Sequence, residues 1–87
     1  VHEFSLIADL LRKIESLARS ERADRVTCVR VRIGALAHIS ADHFREHFSD
    51  GVRGTRAEGA RLEIEVSEDM NDPRAQDILL QSVDVQN

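Results

Sequence analysis

The sequence predicts an α+β (mixed α/β) domain in which two helices pack on one face of a small three-stranded sheet, in the order helix–strand–helix–strand–strand. Three observations predict it. Apolar residues recur at three- and four-residue spacing near the amino terminus, then switch to strict alternation after Cys28. A capped helix start falls between two alternating segments. Strand, helix, strand in succession is the pattern of a crossover unit, and two helices suffice to cover one sheet face.

The first helix is expected over roughly Ser5 to Arg19, where Phe4, Ile7, Leu10, Leu11, Ile14, Leu17 and Ala18 form the apolar stripe. Arg12, Lys13, Glu15 and Arg19 fall on or near the wet side. After a polar turn from Glu21 to Asp24, Val29, Val31 and Ile33 alternate with Arg30 and Arg32, a strand ending at Gly34. Ser40 is placed to cap a second helix, with Asp42 in its first turn and Ile39 and Phe44 at the two positions of a hydrophobic staple. Phe44, Phe48 and Val52 give its inner face, and Gly51 and Gly54 end it. Leu62, Ile64 and Val66 alternate with Glu63 and Glu65 in a second strand. A polar connection around Pro73 follows, unsuited to a central strand. Leu79 to Val85 then forms a short third strand.

Composition narrows the function. The 87 residues suffice for a single domain, 1–87, with one thin core, and the only aromatics are Phe4, Phe44 and Phe48. Cys28 is the sole cysteine, which excludes an internal disulfide and any multi-cysteine zinc site, and a free thiol fits a reducing cytoplasm. No secretory signal is expected at the amino terminus, and no apolar run approaches the ~20 residues of a membrane span. Residues 1–62 carry 11 basic and 9 acidic side chains, whereas residues 63–87 carry 1 basic and 7 acidic. Scattered arginines and an acidic tail, without a basic stripe, argue against nucleic acid.

The amino terminus has the makings of a chelate. The amine of Val1, the amide nitrogen and imidazole of His2, and the carboxylate or amide of Glu3 can close fused rings around one metal. Nitrogen-rich tetragonal sets suit Ni(II) or Cu(II). On chemistry alone a frayed terminus with solvated charges is the favoured reading of these residues.

The opening Val1-His2-Glu3-Phe4-Ser5-Leu6 resembles the Met-His-Glu start of the HypA/HybF family of hydrogenase nickel-incorporation proteins. Arg25 to Leu36 resembles that family's first strand and following turn. Gly54-Thr55-Arg56-Ala57-Glu58-Gly59-Ala60-Arg61-Leu62-Glu63-Ile64 is the most specific match, and Leu80 to Val85 resembles the closing strand. The resemblance implies two helices against a three-stranded mixed sheet. It further implies a nickel metallochaperone, not an enzyme, that delivers Ni(II) in maturation of [NiFe] hydrogenase and in some organisms urease. Its partners would be a HypB-like GTPase and the hydrogenase large subunit. Carried over by position, His2 is the essential nickel ligand, Glu3 supports it, and the amine of Val1 completes the site.

Two departures stand out. The family inserts a zinc module with paired Cys-x-x-Cys motifs before its last strand; here a short loop, 67–76, replaces it, without cysteine or histidine, so no structural zinc is expected. Val1 stands where the family begins with Met.

His43-Phe44-Arg45-Glu46-His47 spells H-x-x-E-H on the second helix, and histidines at i and i+4 share a face. A protease would need a third ligand and a cleft that so short a chain lacks room for, which leaves a solvated pair or a secondary metal site. His38 reads as a loop histidine. Cys28 reads as a small buried strand residue with no base to activate it. The acidic residues Glu63, Glu65, Glu68, Asp69 and Asp72 read as a solvated edge and loop. A metal-free adaptor of the same fold, docking a maturation partner, is the alternative to a nickel carrier.

Overall fold

The computed structural model describes residues 3–87, with side chains from Ser5 onward. Its elements are α1 (Glu3–Ser20), β1 (Arg25–Ile33), α2 (Ala41–Gly51), β2 (Arg61–Val66) and β3 (Ile78–Gln86), in the order expected. The sheet order is β2-β1-β3, with β2 parallel and β3 antiparallel to β1.

Along α1 the buried stripe is Ile7, Leu10, Ile14 and Ala18. Leu17, expected in that stripe, is 46% exposed because it lies at the margin of the covered face. The helix ends in a left-handed cap: Arg22, at φ 54°, donates its N–H to the Arg19 carbonyl at 3.1 Å, and Ala23 donates to Ala18 at 2.9 Å. This is the closure glycine usually makes, here made by an arginine. It reverses the chain at once, so β1 runs back antiparallel to α1.

β1 is the spine of the core. Val29 and Val31 are fully buried and Ile33 nearly so, facing the helices on the strand's inner side. α2 starts at Ser40, whose extended backbone and Oγ, accepting from the His43 N–H at 3.0 Å, satisfy a helix-end donor. Phe44 and Phe48 supply its buried face, and Ile39 packs against the same core, as the staple requires. At Gly51 any side chain would run into that of Leu11, so a glycine sets how closely the two helices approach. On β2, Leu62 is buried but Val66 is 54% exposed, against the expected alternation. Val66 closes an edge strand, with no strand beyond it to share cover. The Leu62 carbonyl is met by the Arg45 guanidinium of α2 at 3.0 Å.

The connection between β2 and β3 is constrained by topology. The two strands flank β1 on opposite sides, so residues 67–77 must cross over its carboxyl end. They do so in close contact. The Ser67 N–H donates to Ile33, Gly34 N–H to Asp77 and Leu36 N–H to Ala75, at 2.7–2.9 Å. Ala75 is buried, and a Cβ on Gly34 would strike the Ala75 carbonyl. The polar residues in this stretch serve turns: Asp69 accepts from the Asn71 N–H and Asp72 from the Arg74 N–H.

The sheet's outer face carries an ionic ladder. Arg30, on the central strand, reaches Glu63 on β2 at 3.0 Å and Ser82 and Asp84 on β3 at 3.1 Å. Arg61 also donates to Glu63, at 2.7 Å. The Arg61 hydrogen bond outweighs the opposing desolvation and, with Arg30 adding to it, holds the Glu63 carboxyl below the usual glutamate range.

Two expectations follow from this packing. Replacing Gly34 by Ala should cost about 1–3 kcal/mol, because the obstacle is backbone that cannot swing aside; urea denaturation of G34A measures it. Glu63 binds its proton less tightly folded than unfolded. Its contribution is therefore complete above the ordinary glutamate range and is lost as pH falls through the lowered value. The denaturation midpoint of E63Q should accordingly fall less steeply than that of the unsubstituted protein on acidification below about pH 4.3, the ordinary glutamate value.

Candidate metal centre

The path of the chain brings both helix starts to one end of the molecule. β1 is antiparallel to α1. α2 lies in the crossover between two parallel strands, so it too runs antiparallel to β1. The helices are therefore parallel to each other. Gly51 of α2 meets Leu11 of α1, and Arg56, beyond α2, pairs with Glu15, later on α1. Going back along both helices from that contact leads to Glu3 on one and to the Ser40 cap on the other. The turn 34–37 and the crossing connection 67–77 close over this same end, and Leu6, Leu10 and Lys13 share a groove with Ile78, Leu79 and Leu80 at the start of β3.

Of the residues expected to bind metal, Val1 and His2 lie outside the described residues. Glu3 is the first residue of α1, and its side chain lies outside the described set. The described residues thus include the helix that follows the expected ligands, but not the ligands themselves.

His43 and His47 are described. They stand one turn apart near the start of α2, His43 exposed and His47 partly buried, with ring centres 4.9 Å apart and planes tilted by 35°. In sequence they are about forty residues from the amino terminus; in the fold they belong to the same end. Among the described residues no three His, Cys, Asp or Glu side chains converge as a metal-binding group. His38 is exposed in the turn before α2, at φ 58°, a conformation histidine tolerates. Cys28 is buried on β1. The acidic run is dispersed: Glu63 sits in the ionic ladder, Glu65 accepts from Gln81 at 3.2 Å, and Asp69 and Asp72 brace turns. Arg30 was missed as an organising residue, since alternation alone reads it as a solvated charge. Only the strand register shows that it stands between Glu63 and Ser82.

Residues 1–71 match the family model described as hydrogenase/urease nickel incorporation, metallochaperone, hypA. The chain belongs to the HypA family. It is 41% identical over 66 residues to the hydrogenase maturation factor HypA of Methylocella silvestris, covering 76% of this chain and 58% of that protein. The HypA of Archaeoglobus fulgidus is likewise 41% identical over 66 residues, covering 60% of its length. The match thus spans about three-fifths of these curated relatives. Among solved structures, the solution structure of the Ni metallochaperone HypA from Helicobacter pylori superposes with a TM-score of 0.79 at 16% identity, over 99% of this chain and 98% of that one. A second HypA solution structure gives 0.75 at 17% identity, over 97% and 95%. At such identities the superpositions establish the shared fold. The family is one of metallochaperones, not enzymes, and no helix of the described residues is long and apolar enough to cross a membrane.

Proposed function

We propose that this HypA-family chain carries Ni(II) at its amino terminus and delivers it during maturation of [NiFe] hydrogenase. The observation that carries the reading is the extent of the family match, which begins at residue 1 and so includes His2 and Glu3. The ligands would be the amine of Val1, the amide nitrogen and imidazole of His2, and the amide or carboxylate of Glu3. A set rich in nitrogen, with a deprotonated amide among its donors, favours a square-planar d8 ion. Binding releases protons from the amine and amide, so acid reverses it, a suitable property for a carrier that must also let go.

A HypB-like GTPase and the hydrogenase large subunit are the proposed partners, in the cytoplasm, and urease is a further recipient consistent with the family's description. The domain 1–87 is proposed to fold as one unit without structural zinc, with the 67–77 crossing in place of a zinc module. Its hydrogen bonds to Ile33, Gly34 and Leu36 supply the closure that a metal would otherwise contribute.

Nickel titration followed by absorbance tests the site. The protein with its native amine should develop a yellow square-planar band as pH rises. H2A, acetylation of the amine, or two added residues before Val1 should each abolish the band. E3Q should weaken it less, since the Glu3 backbone nitrogen remains. Equal bands from native and extended chains would remove the amine from the ligand set. A protein with no nickel band at all would leave the adaptor reading. A separate measurement addresses zinc: a strong chelator should leave the helical circular dichroism of the purified protein unchanged, and a large loss would contradict zinc-free folding.

A further inference from the structure

We propose that His43 and His47 form a second Ni(II) site, chemically distinct from the amino-terminal chelate and located at the same end of the molecule. Three observations carry it. The first is spacing. On a helix, residues i and i+4 lie on one face, so two imidazoles there can reach one ion.

The second is geometry. An ion about 2.0–2.1 Å from one nitrogen of each ring stands about 3.2 Å from each ring centre, so ligand angles of roughly 90–110° separate the centres by about 4.5–5.2 Å. The rings of His43 and His47 are 4.9 Å apart, within that span; because His47 Nε2 is buried, the ion is taken by its Nδ1 or after a turn of that ring. Little backbone entropy remains to be lost on binding, since α2 is anchored by Phe44, Phe48 and the Ser40 cap.

The third is setting. Asp42 and Glu46 lie on the same helix and favour a cation, with Arg45 turned away to the Leu62 carbonyl and Arg53 paired to Asp50. The pair is open to water on the His43 side, so solvent completes the coordination. Two imidazoles and several waters make a six-coordinate, paramagnetic Ni(II) centre, unlike the diamagnetic square plane proposed for the amino terminus.

That difference in spin state separates the two sites experimentally. Ni(II) alone is titrated into the 15N-labelled protein carrying H2A, which removes the amino-terminal chelate. Broadening of amide and ring signals should centre on His43 and His47 and saturate at one equivalent of nickel in an equilibrium titration. H43Q in that background should abolish the broadening. Because His43 is exposed, H43Q leaves the core untouched, and circular dichroism checks the fold; H38Q, at the lone loop histidine, should change nothing. Broadening centred on His38, or an equal effect with H43Q, would overturn the proposal. The readout does not depend on the amino-terminal site. If H2A fails to remove the square-planar band while H43Q still abolishes the broadening, the amino-terminal reading falls and the helix site stands.

Discussion

The arrangement depends on the position of β1, held between one parallel and one antiparallel neighbour. A parallel partner cannot be reached by a hairpin, so the chain must cross over through α2 to enter β2. The left-handed cap at Arg22 makes α1 run opposite to β1 as well. The two helices are then parallel by necessity, and their starts converge where β1 ends. β3, on the far side of β1, forces residues 67–77 across that same end. One choice of strand partners thus gathers the first turn of α1, the histidines of α2 and the tightest loop of the molecule into one region. At the opposite end the turns 21–24 and 52–60 carry no such convergence of metal-binding side chains among the described residues.

The elements were legible in the sequence because each is amphipathic with a clean period. The stripe Ile7, Leu10, Ile14, Ala18 and the alternation Val29, Val31, Ile33 name their buried faces without help from the fold. The cap at Ser40 was legible for a related reason: it is a local hydrogen bond, set by residues three apart. What resisted reading depends on neighbours distant in sequence. Val66 obeys the alternation yet is exposed, because an edge position is a property of sheet order. Arg30 looks like a solvated charge until register puts Glu63 on one side and Ser82 on the other. The role of Gly34 is similarly hidden, since the carbonyl it accommodates belongs to Ala75. For the candidate metal centre, the residue types at the amino terminus spoke only through resemblance to a family. The histidine pair spoke through spacing alone, and that both belong to one end required the topology.

The close crossing at 67–77 gives physical content to the absence of cysteines there. Val66 and Ile78 are the two ends that any insertion between β2 and β3 must join, and both open at the end where the helices start. The zinc module that the family resemblance implies for other members would therefore project from the end where the helices start, not from a remote face. In this chain the space over β1 is filled instead by Ala75 against Gly34, with Ser67 and Asp77 securing the two shoulders of the crossing. A connection so tied to backbone groups of β1 and its turn is held there by hydrogen bonding and packing.

The ligand chemistry proposed for the two nickel positions gives them unequal strengths. A chelate using an amine, an amide and an imidazole forms fused rings, and each added ring costs little further entropy once the first is closed. It also requires proton release, so its affinity climbs with pH. Two imidazoles on a helix form a single large ring and need only be neutral, so their hold is weaker and less dependent on alkalinity. At one end of a small domain, such a pair would gather a hydrated ion quickly and yield it readily, whereas the amino-terminal set would hold it firmly until protonated or displaced. Nickel bound to the pair would thus move downhill to the chelate, with the direction set by the number and basicity of nitrogen donors. No conformational change of the rigid core, from Val29 and Val31 to Phe44, is required for that difference to operate.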